Sequence, residues 1–148
     1  MKLTIRTALF ALSALTMALA PQAASAQAAG PGCGIYDHNG STMAVRRSGS
    51  QITIHYVRPR DVLARAGVRN GTLLFDGRVN SGLLISGTAR VFSRHCPGSP
   101  LLYGVEGWTN EINQNIELRG VREVHSRCQP TGRRTQDVLR FDNLGYGC

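Results

Sequence analysis

Hydrophobic and polar positions alternate along most of the chain. In "QITIHYV" (51–57), Ile52, Ile54 and Tyr56 fall on one side and Thr53 and His55 on the other. A period of two marks a strand with one buried face. "STMAVRR" (41–47) precedes it across Ser48-Gly49-Ser50, and "GTLLFDGRV" (71–79) meets "LLISGTARVFSRH" (83–95) across Asn80-Ser81-Gly82. Both connections have hairpin chemistry. "PLLYGVEGW" (100–108), "NIELRGVREVH" (115–125) and "TQDVLRFDNL" (135–144) continue the series, with Asn110 to Gln114 as the polar link between the first two. One stretch breaks the period. In "PRDVLARAG", Asp61 is placed to cap a helical turn whose apolar side is Val62, Leu63 and Ala66, and Gly67 stops it.

Gly77, Gly87, Gly104, Gly107 and Gly120 lie inside the expected strands. An interior glycine weakens a flat strand but permits bulges and tight barrel corners. The pattern therefore predicts an all-β fold: a small antiparallel up-and-down β-barrel of 7–8 strands, with one short helical turn near 60–67. A β-sandwich is the second choice.

"IYDHNGSTMAVRR" (35–47) sets Asp37, His38 and Ser41 close together around Asn39-Gly40. Asn-Gly between alternating segments is a type I′ hairpin signal, because that turn needs positive φ at both central residues. Asn70-Gly71 repeats the pattern before the next strand. Both also match N-x-[ST], which follows automatically when the strand after the turn opens with Ser or Thr. A catalytic Asp37/His38/Ser41 set is disfavoured, since neighbours on a strand point to opposite faces.

The first 26 residues have the form of a secretory signal peptide. Lys2 and Arg6 precede the apolar run Ala8 to Ala20, and Ala24-Ser25-Ala26 supplies a small-x-small cleavage site. The run is shorter than the roughly 20 residues a membrane helix needs. Residues 27–32 form a short flexible leader and 33–148 one domain. The expected location is exported, periplasmic or secreted.

Cys33, Cys96, Cys128 and Cys148 all follow the leader. An even count in an exported small protein implies two disulfides, with three possible connectivities. Cys33–Cys148 with Cys96–Cys128 is preferred, because the first pair flanks the structured region and domain termini often lie close together. His95-Cys96 and His125 with Cys128 could instead supply a zinc set. Oxidation of the thiols would remove two of its ligands, so no metal and no cofactor are expected.

The only Lys leaves with the signal, so 15 arginines face nine acidic residues, a net +6 with His neutral. Arg58, Arg60, Arg65 and Arg69 cluster around the expected helical turn, and Arg133 and Arg134 lie in the C-terminal third. Placed on one rim, these six would form a cationic mouth for phosphate or carboxylate groups. Few aromatics accompany them, which argues against a dedicated nucleic-acid surface. Hydrolase signatures are missing, and Asp76, Glu106, Glu111 and Glu117 are carboxylates of the kind any β protein carries on its outer positions. In size and export signal the chain is similar to the lipocalins. The Gly-x-Trp pattern of their first strand is absent, the only Trp being Trp108, so no functional residue carries over.

The expected function is non-enzymatic binding or inhibition of an anionic partner (a protein, glycan or envelope component) through the mouth or the loops Arg58 to Asn70, Pro97 to Pro100 and Gln129 to Arg134. One alternative is carriage of a small hydrophobic ligand inside the barrel, in a cavity lined by Ile52, Ile54, Tyr56, Leu73 and Phe75. Another is a hydrolase with a carboxylate or His site outside the known motifs.

Overall fold

The computed structural model describes residues 32–110 and 114–148. The expected signal peptide (1–26), the expected leader up to Pro31, and Glu111 lie outside the described residues. Eight strands follow in order: β1 (Gly32–His38), β2 (Ser41–Ser48), β3 (Gln51–Arg58), β4 (Leu73–Val79), β5 (Leu84–Val91), β6 (Leu101–Thr109), β7 (Ile116–Ser126) and β8 (Gln129–Tyr146). Each pairs antiparallel with the next, and β1 closes the barrel against β8 from Gly34↔Tyr146 to Asp37↔Asp142. The up-and-down barrel is the observed architecture. Gly32 already pairs with Arg47 and so opens β1 instead of ending the leader.

In such a barrel the connections alternate between two ends. Those after β1, β3, β5 and β7 open at one end, which also carries α1 (Asp61–Arg65), the single helix among the described residues, between β3 and β4. Those after β2, β4 and β6 open at the other, together with Gly32 and Cys148. We call these the helix end and the opposite end.

Strand alternation decides what lies inside. Met43, Ile54, Phe75, Ile85, Leu118 and Phe141 are fully buried and fill the middle of the barrel, each stabilising by about 1.5–3 kcal/mol through burial. Glycines make room for the rings. Gly77 and Gly87 lie opposite each other, and a Cβ on Gly77 would run into the Ser86 carbonyl and the ring of Phe75. Gly87, Gly107 and Gly120 are likewise closed by neighbouring backbone.

Both disulfides form as preferred, Cys33–Cys148 and Cys96–Cys128. The first joins the outer ends of the two strands that close the barrel. The second ties the β5–β6 connection to the tip of the β7–β8 hairpin, where β6 and β7 have parted: their pairing covers only Glu106–Thr109 against Ile116–Arg119.

Local expectations fared unevenly. Asn39 and Gly40 have φ of 51° and 77°, the type I′ turn. At Asn70-Gly71 only Gly71 has positive φ, and Thr72 N–H donates to the Arg69 carbonyl, so this is a turn leading from α1 into β4 and not a hairpin. Asp61 is the first helical residue and no side chain caps α1. Val62 faces solvent, whereas Leu63 packs on the core. Residues 129–134, expected as a loop, belong to β8 and pair with β7 as far as Ser126↔Gln129. The turn is instead Arg127-Cys128, both in the left-handed region with φ of 46° and 69°.

Candidate functional site

The strand order sorts the arginines by end. Arg58 finishes β3, Arg60, Arg65 and Arg69 occupy the β3–β4 connection, and Arg133 and Arg134 stand near the start of β8. All six side chains are exposed and belong to the helix end. Because β3/β4 and β7/β8 are half a circuit apart in the strand order, the two groups stand on opposite walls of that end. Arg94 and Arg127 lie in its other connections. Gly49-Ser50, Asn80 to Leu83 and Asn110 to Asn115, the connections of the opposite end, contain no Arg.

The six are not equivalent. Arg69 donates from Nη1 to the carbonyls of Ala64 at 2.6 Å and Val68 at 2.9 Å, which fastens the loop it sits in. Arg134 pairs in register with Glu123. The backbone N–H of Arg60 donates to Ser41 Oγ at 3.1 Å, fixing that residue at the rim. Of the six, Arg60 alone lines a cavity of 230 Å³ at this end.

That cavity collects polar side chains from five strands: His38 of β1, Tyr56 of β3, Arg90 of β5, Tyr103 of β6 and Asp137 of β8. Leu63, Leu74, Phe92 and Leu139 supply its apolar wall. The Tyr103 hydroxyl donates to Asp137 Oδ2 at 2.8 Å, and Arg122 Nε donates to the same oxygen at 3.0 Å. His38 lies flat on Phe141, ring centroids 4.6 Å apart, and its Nδ1–H donates to the Arg140 carbonyl at 2.7 Å. Burial pushes the His38 pKa below the usual imidazole value, and the Arg60 charge adds to this. Burial lifts the Tyr56 phenol to about 12, with the Arg60 charge pulling the other way. Burial, and then the bond to Asp137, raise Tyr103 further. All three side chains are therefore neutral near pH 7, two of them as O–H donors.

Sequence alternation separated Asp37 from His38, but the hairpin register sets His38 opposite Ser41, both buried. Their polar atoms are engaged with Arg140 and Arg60, and not with each other. Tyr56, Tyr103 and Asp137 lie far apart in the sequence, and no local spacing groups them. The usable signal was parity: His38 and Asp137 fall on the inward positions of their strands.

The other candidates are dispersed. Asp76 pairs with Arg90 at 2.6 Å, and Glu117 with both Arg119 and Arg140. Asp76, Glu106 and Glu117 do not line the helix-end cavity, although Arg90, the partner of Asp76, does. His55, expected on an exposed face, is half-buried, and its Nδ1 is buried without a hydrogen-bond partner. The two thiols of the zinc set are in the Cys96–Cys128 disulfide, with His95 and His125 lining the cleft beside it. Ile54 and Phe75, expected around a central ligand, are sealed in packed core, and Tyr56 serves the helix end. Only Ile52 of that set lines the cavity of 370 Å³ at the opposite end, with Tyr36, Val45, Val79, Ile85 and Tyr146.

Fold and site together define a small, doubly disulfide-bonded, eight-stranded barrel with one arginine-rich end. No family model matches the chain, and neither a curated protein nor a solved structure matches it.

Proposed function

We propose that the protein is an exported, non-catalytic binding protein that holds an anionic partner (protein, glycan or envelope component) at the helix end. The observation that carries this is the placement of arginine in the connections, since Arg47 and Arg78 stand on strands near the opposite end but no connection there bears one. Every inter-strand connection bearing an Arg opens at the helix end, while Asp37, Asp61, Glu123 and Asp137 are acidic residues nearby. Cationic side chains gathered on one end of a rigid scaffold raise the local concentration of anions and the rate of encounter. Arginine forks also match carboxylate and phosphate groups geometrically. The signal-peptide pattern and two disulfides support export.

Anisotropy of fluorescent poly-glutamate tests it, read at low and at physiological salt. The variant Arg58→Ser/Arg65→Ser/Arg133→Ser/Arg134→Ser should bind at least tenfold more weakly, with a flatter salt dependence. Removing as many charges from the barrel wall, at Arg46, Arg78, Arg119 and Arg140, should have a smaller effect. Equal losses in the two variants would show that net charge alone acts, and the proposal would fail. The apolar cavity at the opposite end favours a second reading, carriage of a small apolar molecule there. The two readings use different ends and are compatible.

A further inference from the structure

The floor of the helix end offers more than diffuse positive charge. Among the described residues, the Arg60 guanidinium has no ion pair or hydrogen bond, although its backbone is anchored on Ser41. The Tyr56 hydroxyl has no acceptor, although the residue is only 3% exposed. Arg60, Tyr56 and His38 all line the same cavity. Two donors without acceptors thus meet at one 230 Å³ cavity. Both donors are open to an acceptor that enters the cavity from solvent. Asp137 stands at the same cavity, and both bonds it receives land on Oδ2, leaving Oδ1 for another donor.

We infer that this cavity takes a single carboxylate group, with Arg60 and Tyr56 as its donors and Asp137 Oδ1 accepting a hydroxyl or ammonium on the same ligand. The inference rests on the anion-binding reading of this end and narrows it to a chemical class: a hydroxy- or amino-carboxylate. Three features select that class. One free guanidinium matches one carboxylate as a fork. A phosphate dianion would meet the Asp137 carboxylate without a second free cation to offset the repulsion. The apolar wall of Leu63, Leu74, Phe92 and Leu139 lowers the local dielectric, which strengthens the Arg–carboxylate attraction.

Chemical-shift titrations of the ¹⁵N-labelled protein with glycolate, acetate and inorganic phosphate test it. Glycolate should bind saturably and shift the signals of Arg60 and His38, with acetate about tenfold weaker for want of one hydrogen bond to a charged acceptor. Phosphate should be weaker still. Tyr56→Phe, which keeps the ring and the fold, and Arg60→Gln should each weaken glycolate about tenfold or more. Asp137→Asn should erase the advantage of glycolate over acetate. Unchanged affinity in Tyr56→Phe and Arg60→Gln, or phosphate binding as well as glycolate, would overturn the inference. Glycolate binding that fails while poly-glutamate still binds sinks the pocket alone. The reverse pattern sinks the wider proposal alone.

Discussion

Gly104 and Gly107 sit three residues apart on β6 and have opposite surroundings. Gly107 faces inward, where a Cβ would strike the Glu117 carbonyl and approach the Leu118 Cα at 2.9 Å. Gly104 faces outward, and a Cβ there would meet nothing within 4 Å. The obstacle at Gly107 is backbone of the neighbouring strand, which cannot rotate aside like a side chain. Gly107→Ala should therefore cost about 1–3 kcal/mol or more, as overpacking does. Gly104→Ala should be neutral or stabilise by up to about 1 kcal/mol, since alanine loses less chain entropy on folding. Urea midpoints of the two variants decide this. Equal midpoints would mean that close strand approach at Gly107 is not what excludes a side chain.

At the scale of elements, the seam between β6 and β7 is the feature most open to attack. Leu101 to Val105 pair with β5 on one side, and Gly120 to Ser126 with β8 on one side, but not with each other. The Cys96–Cys128 bridge closes the seam at its outer end. Its chain-entropy contribution is roughly 4 kcal/mol for a separation of 32 residues. The double variant Cys96→Ser/Cys128→Ser should lose protection first at amides 101–105 and 120–128, as measured by hydrogen exchange. A uniform loss over the barrel would show that the seam does not open independently. This hairpin also marks the limit of what could be read from the sequence. Asn39-Gly40 was legible because its turn chemistry is local, and β3 because Ile52, Ile54 and Tyr56 alternate without interruption. The outer half of β8 was hidden by Pro130, Gly132 and the arginines, which look like loop composition. Only pairing with β7, and a turn at two non-glycine residues bridged to another loop, make it a strand. The cavity was hidden for a similar reason. His38, Tyr56, Tyr103 and Asp137 come from four strands, and their convergence depends on barrel closure and not on any local spacing.

For the molecule as a whole, the buried titratable groups predict a stability plateau bounded on both sides. On the acid side, His38 and His55 both have folded pKa values pushed down by burial. Below the unfolded value near 6.5, the unfolded chain binds protons that the barrel refuses. Their contribution is thus complete above about pH 6.5 and is lost as pH falls through the folded values. Glu117 is held low by its bonds to Arg140 and Arg119, so it acts in the same direction but only below the carboxylate range. On the alkaline side, burial raises Tyr36, Tyr56 and Tyr103. A raised phenol contributes fully below the unfolded value near 10 and loses that contribution as pH climbs towards the folded value, about 12 for Tyr56. Urea midpoints from pH 5 to 11 should therefore be flat between about pH 7 and 9.5 and fall on either side. The general repulsion of a basic chain also grows in acid, so the acid limb needs its own control. His38→Gln removes the titrating ring from its place against Phe141, and should lower the plateau while flattening the slope between pH 6.5 and 5. If the slope survives unchanged, the acid limb belongs to collective charge and not to a histidine kept neutral. The same plateau keeps Tyr56 protonated as a donor. Carboxylate binding at the helix end should then hold steady across it, although stability declines at both edges.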